Sequence, residues 1–135
     1  MNFSFLVKLY LLTIPVFFLI DMLWLGVLAK NLYRPRLGHL MSDDVNWTAA
    51  FIFYFLYIVG ILFFAVVPAL KEGNWQTALM LGAAFGFFTY MTYDMTNLAT
   101  LRDLSVTVVI ADVIWGTMLC GAVASISFLI GEWLR

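Results

Sequence analysis

The sequence predicts an all-α integral membrane protein whose four transmembrane helices form one antiparallel bundle. Of its 135 residues, 64% are hydrophobic and 11% are charged, and the mean hydropathy is +1.00. A soluble domain carries about 25% charged residues, so this composition excludes a soluble enzyme, a disulfide scaffold and a disordered segment. The apolar stretches are continuous rather than alternating, which favours helices over a membrane β-barrel.

Four stretches contain the roughly 20 apolar residues that a helix needs to cross the hydrocarbon core. They predict spans at about 6–29, 47–70, 75–98 and 104–130. Because these spans use most of the chain, residues 1–135 are predicted to form a single transmembrane domain with no separate soluble part.

The first span resembles a signal peptide only at its end, where Val27-Leu28-Ala29 is similar to a cleavage site. Lys8 lies inside the apolar run rather than ahead of it, Asp21 interrupts the run, and the run is too long. We therefore expect a retained span. Asp44 or Asn46 is expected to cap the second span.

The connections predict how the spans neighbour one another and how they are oriented. Short turns at residues 71–74 and 99–103 make the second, third and fourth spans antiparallel neighbours. The first loop, residues 30–46, and the third loop carry more of the basic residues. The positive-inside rule then places these loops in the cytoplasm and both termini outside.

Three acidic residues interrupt the spans: Asp21, Asp94 and Asp112. They lie nine, eight and ten residues from the nearest basic loop residue, Lys30 or Arg102. At 1.5 Å per residue, all three are expected about 12 to 15 Å below the same membrane face. Ionisable residues inside spans are costly and are functional candidates by default.

Small residues are expected to bring two of these acids together. Steps of four residues from Asp94 and from Asp112 pass along rows of small side chains, which let helix backbones approach closely. Because a short turn joins the two spans, the rows are expected to face each other. The predicted packing residues are Gly82 and Gly86 in the third span and Gly116, Cys120 and Ala124 in the fourth.

Other polar and aromatic residues accompany the acids. Asn97 and Tyr90 lie within one turn of Asp94, and Tyr93 lies on an adjoining face. The phrase Asp-x-x-Trp occurs twice and supplies an indole donor beside an acid each time. The predicted ligand-, proton- or cation-binding residues are Asp21, Asp94, Asp112, Asn97, Tyr90, Tyr93, Trp24 and Trp115.

No basic residue inside the spans offsets the acids, which leaves three interpretations. The carboxyls are protonated, they bind a cation, or the basic first loop folds back over them. Intramembrane acids also serve as hydrogen-bonding contacts between helices, and this structural alternative stays open. His39 is the sole histidine, so no zinc site or other metal centre is predicted, and no cofactor is assigned. A net charge of -1 argues against nucleic acid as a partner.

Three segments resemble a family of small bacterial membrane proteins catalogued as domain of unknown function 2177. They are residues 20–26, the Tyr-Asp-Met-Thr-Asn-Leu-Ala-Thr segment at 93–100, and residues 112–116. The resemblance covers essentially the whole chain and implies a four-helix protein of the bacterial inner membrane, without an activity. Family members often carry Trp or Pro where this chain has Arg102-Asp103, which leaves the conformation of the third loop open.

These observations favour a transporter or binding protein for a small solute, a cation or a proton, and favour it over an enzyme. The partners expected are the lipid bilayer, a second copy of the chain, and a lipid or small-molecule ligand. The alternative is a membrane-embedded enzyme that acts on a lipid or isoprenoid through its carboxyls. A third interpretation is a structural subunit of a membrane complex.

Overall fold

The structure, a computed structural model, describes residues 1–28, 34–37 and 46–135. It confirms the all-α prediction. The described residues form five α-helices, together with a single helical turn at Arg34–Leu37. The sequence predictions about Lys30, His39 and Asp44 lie outside the described residues. The helices are α1 (Phe3–Leu23), α2 (Trp47–Ile61), α3 (Val67–Glu72), α4 (Trp75–Thr100) and α5 (Val106–Leu134).

Each long helix begins at a residue whose side-chain oxygen accepts a backbone N–H of the first turn, as helix starts require. Asn46 fills this role for α2, with its Oδ1 3.1 Å from the amide nitrogen of Ala49. The caps of the other three helices are Asn2, Asn74 and Ser105. Helix α3 ends at Gly73, which adopts a φ of 72° and lets the chain reverse directly into α4.

Two π-helical turns interrupt the regular helices, at Trp24–Leu28 after α1 and at Leu62–Val66 between α2 and α3. Pro68 explains the second turn. A proline ring meets the carbonyl group four residues earlier, here that of Phe64, and the wider π turn relieves this clash. The helical rod therefore continues through Trp47–Glu72.

Three described helical segments are long and apolar enough to cross a membrane: Phe3–Val27, Trp47–Glu72 and Val106–Leu134. The predicted third span forms α4, which has 26 residues. Its polar side chains, among them Gln76, Asp94 and Asn97, lower its mean hydropathy below that of the other three. Three of the four predicted spans, the first, second and fourth, thus have the length and composition of membrane helices. The third, formed by α4, stays a prediction.

The helices pack in a ring. α4 lies antiparallel along α5 in the most extensive interface, α1 packs on α5 and on α2, and the second π turn with α3 packs on both α4 and α5. Fully buried apolar side chains from α1, α2 and α5, including Phe17, Ile58 and Leu119, fill the centre. Large apolar side chains cover the outside; Phe3, Phe63 and Met80 are 82%, 68% and 71% exposed. Such a surface suits lipid contact.

Candidate functional site

The α4–α5 interface is built on glycines and positions the first pair of acids. A Cβ atom added to Gly82 would lie 2.6 Å from both the Cys120 carbonyl oxygen and the Ala124 Cβ. A Cβ added to Gly86 would clash with the Gly116 carbonyl oxygen. The two helix backbones therefore touch along the rows of small residues. The acids follow along the same rows, Asp94 about two turns beyond Gly86 and Asp112 about one turn before Gly116.

Asp94 and Asp112 meet at the end of this interface, where their carboxyl groups lie close enough to interact directly. Two carboxyl groups can hydrogen-bond to each other only when one of them carries a proton. Asp94 is 7% exposed. Its Oδ2 atom is buried and has no hydrogen-bond partner among the described residues.

Asp21 reaches the same layer from α1 and is 5% exposed. The Trp115 indole nitrogen, Nε1, donates to Asp21 Oδ1 over 3.4 Å. The Tyr54 hydroxyl of α2 lies close to the same carboxyl. Asp21 thus lies beside side chains of two helices other than its own. The three predicted acids lie at one end of the bundle, towards the loops that follow α1 and α4.

The two tryptophans of the Asp-x-x-Trp phrases stack on each other. The ring centroids of Trp24 and Trp115 lie 4.6 Å apart, with 6° between the ring planes. Because Trp115 also donates to Asp21, the stack joins the acid of α1 to the helix that carries Asp112. The structure therefore brings both repeats of the phrase into one cluster.

A second polar cluster lies deeper between α2, α4 and α5. The Tyr57 hydroxyl is 2.7 Å from Thr89 Oγ1 and 3.1 Å from Cys120 Sγ. Thr89 in turn donates to the Phe85 carbonyl oxygen over 2.7 Å. Cys120, expected only as a small packing residue, is therefore also a polar contact inside the bundle.

A cavity of about 590 Å³ opens beside these two clusters. It lies between the first half of α2, the second half of α4 and the start of α5. Its walls are mainly aromatic and apolar, and they include one half-buried acidic residue, Asp112. The lining residues are Ala49, Ala50, Phe53, Tyr57, Thr89, Tyr90, Tyr93 and Asp112.

The remaining predicted residues occupy different positions around the cavity. Tyr90 packs its ring against Gly116 and lines the cavity. Tyr93 lines the rim and is 67% exposed. Asn97 is half-buried one turn beyond Asp94, and its backbone carbonyl accepts from the amide of Leu101 at the helix end.

Sequence reasoning missed the contribution of α2. Tyr54 and Tyr57 supply the hydroxyls of both polar clusters, and Phe53 supplies a wall of the cavity. The sequence contains one signal for this role. From residue 49 to residue 70, Tyr54 and Tyr57 are the two residues whose side chains can form hydrogen bonds. Among the described residues, no group of three or more His, Cys, Asp or Glu side chains is arranged to hold a metal ion.

Comparison with known proteins gives one match. A family model with the description "Predicted membrane protein (DUF2177)" matches residues 6–129. No curated protein and no solved structure matches the chain.

Proposed function

The chain belongs to the family of predicted membrane proteins DUF2177, and on that premise we propose that it binds and carries a small solute at the cavity that Asp112 helps to line. In this proposal Asp94 and Asp112 share one proton in a hydrogen bond between their neighbouring carboxyl groups, and binding is linked to that proton. A solute that displaces this hydrogen bond releases the proton, so occupancy and protonation exclude each other.

The observation that carries this proposal is the cavity of about 590 Å³ whose lining includes the acidic residue Asp112. Small-molecule sites typically enclose 300 to 1,000 Å³, with mostly apolar walls and a few placed polar groups. Here the polar groups are the Tyr57 and Thr89 hydroxyls and the Asp112 carboxyl. A purely structural role for the acids would not require an open space beside them.

The proposal includes α4 as a fourth span of the bacterial inner membrane. At 1.5 Å per residue, its 26 residues extend about 39 Å, more than the roughly 30 Å of hydrocarbon. Its polar groups have partners inside the bundle: Thr89 with Tyr57, and Asp94 with Asp112. These contacts compensate for its lower hydropathy.

Cysteine labelling in spheroplasts tests this topology. A membrane-impermeant maleimide is expected to label Gln76→Cys in intact spheroplasts and Arg102→Cys only after permeabilisation, since both termini are proposed to lie outside. The native Cys120 is fully buried and provides the unlabelled background. Labelling of both positions from the same side would contradict a fourth span.

Native mass spectrometry in mild detergent tests occupancy of the cavity. Wild-type protein is expected to retain a bound small molecule that Ala50→Phe loses, because the new ring fills the space beside the half-buried Ala50. Val59→Phe is the matched control, since Val59 is exposed on the same helix and lies off the cavity. Equal ligand occupancy in all three proteins would contradict the proposal. A bound lipid recovered in chemically altered form would instead indicate the enzyme interpretation.

A pH-sensitive dye in weakly buffered solution tests the link to the proton. Adding the recovered solute to wild-type protein is expected to release about one proton per chain. Asp94→Asn is expected to release none, because its amide forms a hydrogen bond to Asp112 without an exchangeable acid proton. Identical proton release by the two proteins would contradict the link between solute binding and the carboxyl pair.

A further inference from the structure

We propose that the solute held by this cavity is an organic cation: an alkylated ammonium group attached to an apolar body. This inference rests on the proposed function and specifies its substrate class. The ammonium group lies against aromatic faces beside Asp112, and the apolar body points towards the lipid.

The aromatic wall is the first observation. The ring centroids of Phe53 and Tyr57 lie 5.2 Å apart, and those of Tyr57 and Tyr90 lie 6.2 Å apart at an interplanar angle of 67°. Tyr93 adds a fourth ring at the rim. These rings contact one another and form a continuous aromatic wall. Aromatic faces attract cations through the ring quadrupole and recognise alkylated ammonium groups.

The charge of the lining is the second observation. Asp112 contributes a carboxyl group, and none of the described residues that line the cavity is basic. Behind it lies Asp94, whose Oδ2 is buried and has no hydrogen-bond partner among the described residues. An acidic side chain in the lining favours a cation over an anion as the ligand.

The composition of the wall favours an organic cation over a metal ion. Hard metal ions take about six to eight oxygen ligands at close range. The cavity instead offers one carboxyl group, a few hydroxyls and four aromatic rings. Rings are poor metal ligands and good surfaces for methyl or methylene groups on nitrogen.

The rim indicates how the apolar body is accommodated. Phe53 is 50% exposed and Tyr93 is 67% exposed, on the outer surface of helices that face lipid in the proposed topology. The small side chains of Ala49 and Ala50 leave room between these rings. The cavity is thus bordered by lipid-facing residues, and a ligand that already partitions into the bilayer can reach it from the side.

Competition binding in nanodiscs tests the charge of the ligand. The probe is radiolabelled benzyltrimethylammonium, and the competitor is neopentylbenzene, in which carbon replaces the charged nitrogen and the shape is kept. We expect the unlabelled cation to displace the probe at concentrations at least tenfold lower than the neutral compound does. Asp112→Asn is expected to weaken probe binding at least tenfold, whereas Glu132→Gln, an exposed acid at the opposite end of α5, is not.

Substitutions at the rim test the contribution of the aromatic wall. Phe53→Leu and Tyr93→Leu are each expected to weaken probe binding about fivefold, since each removes one cation–π contact. Phe51→Leu and Phe88→Leu are the matched controls, because both residues are exposed on the same two helices and lie off the cavity. All four positions are exposed, so these variants are expected to melt at the wild-type temperature.

Each outcome bears on the proposal. Equal displacement by the cation and its neutral counterpart would overturn the cationic class while leaving cavity occupancy, measured by mass spectrometry, intact. Equal probe affinity in the rim variants and their controls would overturn the role of the aromatic wall. Absence of any saturable probe binding to wild-type protein would overturn the inference outright. An empty cavity in wild-type protein would overturn the proposed function itself.

Discussion

The indole ring of Trp115 lies parallel to that of Trp24, with 4.6 Å between the ring centroids and 6° between the ring planes. Trp24 begins the π turn that follows α1, and Trp115 lies in α5, which runs antiparallel to α1; each residue ends one copy of the Asp-x-x-Trp phrase. Trp115 donates across this interface to Asp21, the acid of the other phrase. The stack and the hydrogen bond together fix the position of α1 against α5 at the depth of the acids.

Replacing Trp115 with Phe is expected to destabilise the protein by about 0.5 to 1.5 kcal/mol. The substitution removes the Nε1 donor to Asp21 but retains an aromatic ring against Trp24, and interhelical hydrogen bonds in membranes have about this value. Chemical unfolding in detergent, followed by helical circular dichroism, measures the change. Trp133→Phe is the control, since Trp133 is 79% exposed on the same helix. A destabilisation no larger than that of the control would contradict a role for the hydrogen bond.

Gly86→Ala is expected to destabilise the protein by about 1 to 3 kcal/mol, because overpacked sites force backbones apart. The new methyl group would lie against the Gly116 carbonyl and 2.8 Å from the Cys120 Cβ. The free energy of unfolding measures this effect. Gly26→Ala is the matched control, since nothing lies within 4 Å of its added Cβ. Equal stability of the two variants would show that α4 and α5 do not touch at Gly86.

Thr13 and Ser127 are expected to be energetically coupled. Both are fully buried, and their hydroxyl oxygens lie 2.7 Å apart between α1 and α5. A double-mutant cycle with Thr13→Val and Ser127→Ala is expected to give a coupling free energy of about 0.5 to 1.5 kcal/mol. Thr92→Val combined with Ser127→Ala is the control cycle, because Thr92 is exposed and bonds to its own helix. A coupling near zero in the first cycle would contradict the interhelical bond.

Cys120 is expected to react with a fluorogenic maleimide only when the bundle unfolds. Its side chain is fully buried and hydrogen-bonded to the Tyr57 hydroxyl, and buried thiols do not react with reagents in solution. During heating, the labelling transition should coincide with the loss of helical circular dichroism. Met118→Cys in a Cys120→Ala background is the control, since Met118 is 63% exposed and its replacement should label in the folded state. Labelling of Cys120 well below the melting temperature would mean that α2 and α5 separate locally.

The sequence predicts contacts that follow from helix geometry alone. Residues four apart share one helix face, and a tight turn makes two helices neighbours, so the spacing of the glycines is enough to predict the approach of Gly86 to Gly116. The rise per residue likewise places Asp94 and Asp112 at one depth.

Contacts that depend on helix rotation could not be predicted in this way. The pairing of Asp21 with Trp115 depends on how α1 is turned against α5, and the long first loop does not restrict that angle. Tyr54 and Tyr57 were missed for a related reason. Inside an apolar span, a tyrosine looks like any aromatic residue until the partner of its hydroxyl, Asp21 or Thr89, is located on another helix.

The π turn at Leu62–Val66 has a consequence for the register of the helical rod. An α-helix turns about 100° per residue, and a π turn accommodates one more residue than an α-helical turn does. Before the turn, the rod directs Tyr57 to Thr89 and Cys120; after it, the rod buries Ala69 and Leu70. Winding residues 62–66 as a regular α-helix, with no residue removed, would rotate one half of the rod by about 100° against the other. The π turn therefore allows one helix to serve the polar end and the apolar end of the bundle at once.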